Sequence, residues 1–310
     1  MPDDLPSRDI PAAVRRGAPW VIGGQVATQL ISLGSLAYLY RQLTPEEYGL
    51  FGMALSFILL PRMLATLGLS IATVQRSSLC ADERNSLFWL QAALGVAFSL
   101  VAAATAPLAA YWFGTREVIP LVLALSGTVF VVSLSATQQS LLERNLALAR
   151  ITSVRVLGQL IGTLIAIFAA SLGWRCGALV VQQYAELTAM LVSVWIIAPW
   201  WPRWPRKFVN ARELFHFSGY FTLSSLLSFV IQNADKLLLG WWLGGTPAGQ
   251  AIVGAYTQAY NLVMRPVYSI TAPVFGVLLP TLSRAKSEPQ LFQHLTVTAY
   301  RLTAIMLLPC

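Results

Sequence analysis

From Gly49 to Val74 the chain runs for twenty-six residues with one charge, Arg62, and Pro61 beside it. As a helix that run is about 39 Å long at ~1.5 Å per residue. It exceeds the ~30 Å hydrocarbon core of a bilayer. A backbone crossing lipid must satisfy its own hydrogen bonds, so the run predicts a spanning helix. A guanidinium near the centre of such a helix costs roughly 2.5–3.5 kcal/mol on insertion scales, and it must face protein or water. The pattern recurs along the chain. Apolar runs predict helices at Gly17–Tyr40, Gly49–Val74, Leu87–Trp112, Val118–Leu141, Ser153–Leu172, Cys176–Trp200, Leu214–Leu243 and Ala251–Leu282, and a ninth begins near Leu295. The fold class is therefore an all-α, polytopic membrane bundle. Composition agrees: 11% of residues are charged, against about 25% in soluble chains.

The basic residues alternate between loops. Arg8, Arg15 and Arg16 precede the first helix, and Arg144, Arg150 and Arg155 lie between the fourth and fifth. Arg203, Arg206, Lys207 and Arg212 lie between the sixth and seventh, whereas the opposite face carries only Arg41, Arg116 and Arg175. Basic loops stay inside, so the N-terminus is expected in the cytoplasm. The Trp- and Pro-rich stretch Trp200–Arg212 reads as an interfacial linker between two lobes. The expected organisation is a cytoplasmic segment 1–16, a six-helix lobe 17–200, a linker 201–213, and the start of a second lobe at 214–310. The chain stops within the ninth helix, so the second lobe is expected to be truncated.

A repeat supports two lobes. Gly254-Ala255-Tyr256 stands where Gly49-Leu50-Phe51 stood, and Arg265-Pro266 takes the place of Pro61-Arg62. Such repeats are a common transporter plan. Intramembrane charges are the candidate functional groups: Arg62, Glu186, Asp235, Lys236, Arg265 and Arg301. They have two readings: internal salt bridges that lock helices together, of which Asp235-Lys236 would be one, and a cationic cavity, since positive charge is in excess, which suits an anionic ligand, and the planar arginine fork matches a phosphate. Glu186 has two readings, a group that exchanges a coupling ion and a partner for an arginine. Asp235 is a second candidate for ion coupling. Polar stripes run along the first helix (Gln25, Thr28, Gln29, Ser32, Ser35) and the seventh (Ser218, Thr222, Ser225, Ser228, Gln232, Asp235). They either line a cavity or join helices by hydrogen bonds.

Other chemistries lack their signatures. There is no Walker loop, GxSxG or HExxH. Cys80, Cys176 and Cys310 have no metal or redox spacing, and His216 and His294 have no ligand set around them. No enzyme activity, cofactor or metal is expected. The net charge of +8 belongs to loops and reports topology rather than nucleic acid. The first twenty residues lack the apolar core of a cleaved signal peptide.

With these residues in view, the sequence resembles the polysaccharide branch of the multidrug/oligosaccharidyl-lipid/polysaccharide exporter superfamily, the Wzx-type O-antigen flippases. The resemblance rests on RQLTPEEYGLFGMA at Arg41–Ala54, LGLSIATVQR at Leu67–Arg76, NADKLLLGWWLG at Asn233–Gly244 and VGAYTQAYNL at Val253–Leu262. It implies two six-helix bundles, of the kind found in multidrug and toxin extruders, around a central cavity. It also implies ion-coupled alternating access in the inner membrane. The implied substrate is an undecaprenyl-pyrophosphate-linked oligosaccharide, held by Arg62, Arg265, Asp235, Lys236, Gln232, Ser225, Gln25, Gln29 and Arg301. A polysaccharide polymerase and a chain-length regulator are the partners such a role implies, beside membrane lipid. Two alternatives stand: a multidrug or cation antiporter of the same superfamily, and an inactive truncated component of a polysaccharide assembly complex.

Overall fold

The computed structural model describes residues 10–75, 81–144, 147–205, 211–264 and 297. Their side chains are described except for 10–18, 67–75, 81, 144, 148 and 211–225. Two compact units divide at residues 255 and 256. In the first unit the chain forms α1 (Ile10–Gln42), α2 (Pro45–Gln75), α3 (Ala81–Ala104), α4 (Ala106–Phe113), α5 (Val118–Arg144), α6 (Leu148–Ser171), α7 (Cys176–Ile197) and α8 (Ala211–Leu243). Residues 247–264 are also helical, and no described residue is in a strand. Of the second unit, the described stretch 256–264 is helix.

Five stretches among the described residues are long and apolar enough to span a membrane: Pro45–Thr66, Asp82–Phe113, Val118–Glu143, Ala149–Ser171 and Cys176–Ile197. This is a multi-pass helical membrane protein. The third span is two helices, not the single one expected. It breaks at Thr105, where α4 starts with proline in its first turn, the position that tolerates a missing N–H. The Thr105 hydroxyl donates to Ala102 O at 2.7 Å. Gly114, at φ 67°, then ends α4 in the left-handed conformation that glycine adopts at a helix end without a Cβ clash.

Helices pack through small and branched side chains. Met53, Ala54 and Ile58 of α2 meet Phe113 of α4 and Val118, Val122, Leu125 and Val129 of α5 in one core. A second core joins Leu39 of α1, Tyr48 of α2, Ala166 and Ala169 of α6, and Ala178 and Leu179 of α7. The outward face of α6 is apolar as well, with Leu160, Leu164 and Phe168 exposed. In lipid that face needs no polar cover. Gly158 and Gly162 of α6, four residues apart, let α7 come close. A Cβ on Gly162 would lie 2.8 Å from Glu186 Cβ and 3.0 Å from the Gln182 carbonyl oxygen. Small residues at this spacing allow the backbone approach that joins helices in lipid.

Candidate functional site

Arg62 follows the buried Pro61 on α2 and is itself half-buried. The charge nearest in effect is Glu186 of α7, which lies within electrostatic reach of the guanidinium. Proline removes a backbone donor, so the carbonyl one turn earlier is released from the helix ladder and the helix can bend. One turn after Arg62, the Thr66 hydroxyl donates to the Arg62 carbonyl at 3.1 Å. Glu186 is also half-buried, and its Cβ is the atom against which Gly162 packs. Three elements thus meet at this charge pair: α2 supplies the cation, α7 the acid, and α6 the glycine that admits the acid.

The polar stripe of α1 divides. Gln159 of α6 donates from Nε2 to the Thr28 carbonyl at 3.0 Å and to the Ser32 hydroxyl. Gln182 of α7 donates to the Ser35 hydroxyl at 3.5 Å. The Ser32 and Ser35 hydroxyls therefore serve helix-to-helix bonding, whereas Thr28 offers α6 only its backbone carbonyl and turns its own hydroxyl to the Gln25 carbonyl at 2.9 Å. Gln25 and Gln29, on the same helix, are half-buried. On α8, Gln232 and Ser228 are exposed while Asp235 and Lys236 are half-buried. The Asp235 carboxylate accepts the Lys236 backbone N–H at 2.8 Å. The side chain of Ser225 lies outside the described residues, as do Arg265 and Arg301.

The structure also brings together parts of the repeat that sequence reading only aligned. A Cβ on Gly254 would stand 2.7 Å from Gly49 N and 3.2 Å from Gly49 Cα, and it would strike the carbonyl oxygen of Pro45. A Cβ on Gly49 would stand 2.7 Å from the carbonyl carbon of Gln250. Two backbones touch here with no side chain between them.

Other residues that position these elements went unread in the sequence. Thr44 and Glu47 form a reciprocal cap on α2: Thr44 N donates to Glu47 Oε2 at 3.0 Å, and Glu47 N donates to Thr44 Oγ1 at 3.4 Å. This is the arrangement that Thr-x-x-Glu encodes at a helix start. Arg175 donates from Nε to the other carboxylate oxygen, Oε1. Glu47 is buried and Arg175 largely exposed, and the bond raises the arginine pKa above its ordinary value. Arg175 holds a φ of 45°, a region that non-glycine residues seldom occupy. Both the Thr44–Glu47 spacing and the glycine pair of α6 are visible signals in the sequence.

Among known proteins, a family model described as "Polysaccharide biosynthesis protein" matches residues 38–310. The succinoglycan biosynthesis transport protein ExoT of Rhizobium meliloti is 22% identical over 96% of this chain and 59% of its own. The teichuronic acid biosynthesis protein TuaB of Bacillus subtilis is 20% identical over 96% and 61%. The lipopolysaccharide biosynthesis protein WzxC of Escherichia coli is 20% identical over 94% and 58%. The chain thus spans less than two thirds of the length of the relatives it matches. A crystal structure of a MATE protein in the straight conformation overlays with a TM-score of 0.49 at 17% identity, covering 95% of this chain and 70% of that one.

Proposed function

Because this chain belongs to the polysaccharide biosynthesis protein family, we propose that it acts in moving a polysaccharide precursor across the cytoplasmic membrane. The precursor is an oligosaccharide on undecaprenyl pyrophosphate, and the movement is ion-coupled alternating access between two lobes. The observation that carries this reading is Arg62, a half-buried cation in the middle of an apolar span with an acid on a neighbouring helix. A pyrophosphate offers the guanidinium a ligand for both prongs of its fork. Glu186 is the counter-charge while the site is empty, and with Asp235 it is a candidate for ion coupling. Arg265, at the matching place in the repeat, supplies the second cation.

Losing one charge-assisted hydrogen bond costs about 1.5–3 kcal/mol, or roughly ten- to a hundredfold in binding. In a flippase-null strain, the full-length protein with Arg62→Ala or Arg265→Ala should export polysaccharide poorly despite wild-type membrane levels. Arg62→Lys keeps the charge without the fork and should restore only part of the export. Normal export by both alanine variants sinks the cationic site.

The N-terminus is proposed to be cytoplasmic, from the basic-loop asymmetry. In intact cells an impermeant thiol reagent should label a cysteine at Gly245 and miss one at Asn210. The reverse pattern would mean the opposite topology.

A further inference from the structure

The aromatic cluster where α7 ends has no part in the site above. Trp195, Trp200 and Trp201 line a groove of about 430 Å³ with Leu191, Val192 and Ile196, within the ~300–1,000 Å³ of ligand pockets. Every one of these side chains is apolar or an indole. Ile196 and Trp201 are largely exposed, so the groove lies on the outer flank of the bundle, at the end of a span. The beginning of α3 braces it from behind. Phe88 packs edge-on against Trp195 and Trp200, with ring centroids 5.8 and 5.9 Å away.

Cations sit at the same end. The Arg84 guanidinium lies 4.5 Å over the Trp200 ring, a cation–π geometry. Arg203 is exposed, and its backbone is pinned on both sides. Its N–H donates to Asn85 Oδ1 at 3.3 Å, and its carbonyl accepts from Trp89 Nε1 at 3.2 Å. Asp82 and Glu83 occupy the first turn of α3, where carboxylates complement the helix dipole. Arg150 and Arg155 are exposed near the start of α6. Among the described residues at this end, Arg84, Arg150, Arg155 and Arg203 stand against Asp82, Glu83 and Glu143, and beside the groove itself the cations are Arg84 and Arg203. Indoles at a bilayer interface mark the headgroup level, and basic residues beside them attract anionic lipid by about 1 kcal/mol each.

We propose that this groove holds an acyl chain of an anionic bilayer phospholipid, whose phosphate lies between Arg84 and Arg203. The site is separate from the Arg62–Glu186 pair and stands whether or not the transport reading does.

Native mass spectrometry of the purified full-length protein tests it, with phosphatidylglycerol and phosphatidylcholine of identical chains. The wild type should retain phosphatidylglycerol preferentially. Arg84→Gln should weaken that binding about fivefold, the factor equivalent to ~1 kcal/mol per basic residue, and leave phosphatidylcholine unchanged. Trp201→Ala changes a side chain that is 81% exposed, so it leaves the fold intact and should weaken both lipids. Any of three results with these two lipids overturns the proposal. These are equal retention of the two lipids by the wild type, an undiminished preference in Arg84→Gln, or unchanged binding by Trp201→Ala. Displacement of phosphatidylglycerol by equimolar undecaprenyl phosphate also overturns it, because the groove would then belong to the carrier.

Discussion

The same Thr-Pro turn opens α2 and the helix 247–264, yet the two copies are fastened differently. In the first copy the third residue after Thr44 is Glu47, which closes a capping box and then reaches Arg175 at the start of α7. In the second copy that position is Gly249. The Thr246 hydroxyl accepts the Gly249 N–H at 3.2 Å, and no carboxylate returns. Gln250 instead turns its amide back onto the Gly244 carbonyl at 3.0 Å. The spacing differs too: Gly49 lies five residues after Thr44, and Gly254 eight after Thr246. The first copy is thus tied sideways into its own bundle by an ion pair. The second is tied to the end of the helix before it and rests its backbone on the first. Both turns have a threonine cap and a contact glycine, while the anchor between them differs.

The largest effects should come from the shared contact. Gly49→Val or Gly254→Val puts a branched side chain against backbone, which cannot swing aside, and overpacking of this kind costs roughly 1–3 kcal/mol or more. Thermal unfolding of the full-length protein in detergent should show a marked loss for both. Gly34, with nothing within 4 Å of an added Cβ, provides the control. Gly34→Ala should be neutral or slightly stabilising, as alanine suits a helix better than glycine. Equal melting temperatures for Gly49→Ala and Gly34→Ala would show that the two copies do not touch as described.

The anchors should rank below the contact and differ from each other. Glu47→Ala removes the box and the ion pair together, whereas Thr246→Ala removes a simple cap worth about 0.5–2 kcal/mol. The first should therefore lower the melting temperature more. Arg175→Ala should fall between wild type and Glu47→Ala, and molar salt should narrow its distance from wild type, since an exposed guanidinium is screened. If Thr246→Ala proves as damaging as Glu47→Ala, the two turns are fastened alike and the contrast collapses.

Much of the fold was legible because lipid simplifies the code. A span must be long and apolar, so the helices could be counted from runs such as Gly49–Val74. The break at Thr105 was not foreseen, because Pro107 lies in an apolar stretch whose hydropathy never dips. The site was legible only as a set of costly residues. Arg62 and Glu186 stand out because charges are expensive in a membrane, but nothing in their spacing announced that α2 and α7 bring them together. The α1 stripe shows the reverse limit. Gln29 and Ser32 look equally available in sequence, and only the position of Gln159 assigns the second to helix bonding.

The glycine contact is reciprocal. Gly49 meets Gln250 while Gly254 meets Pro45, and each partner is the counterpart of the other when the two glycines are aligned. Residue i touching j′ while j touches i′ is the signature of an isologous interface, the kind built by a two-fold axis between identical subunits. Here it occurs inside one polypeptide. The stretches 45–49 and 250–254 share only the contact glycine in sequence, yet each receives the other in the same way. In that register Glu47 stands opposite Ile252, so the reciprocity lies in the backbone contact alone and the ion pair with Arg175 belongs to one side of it.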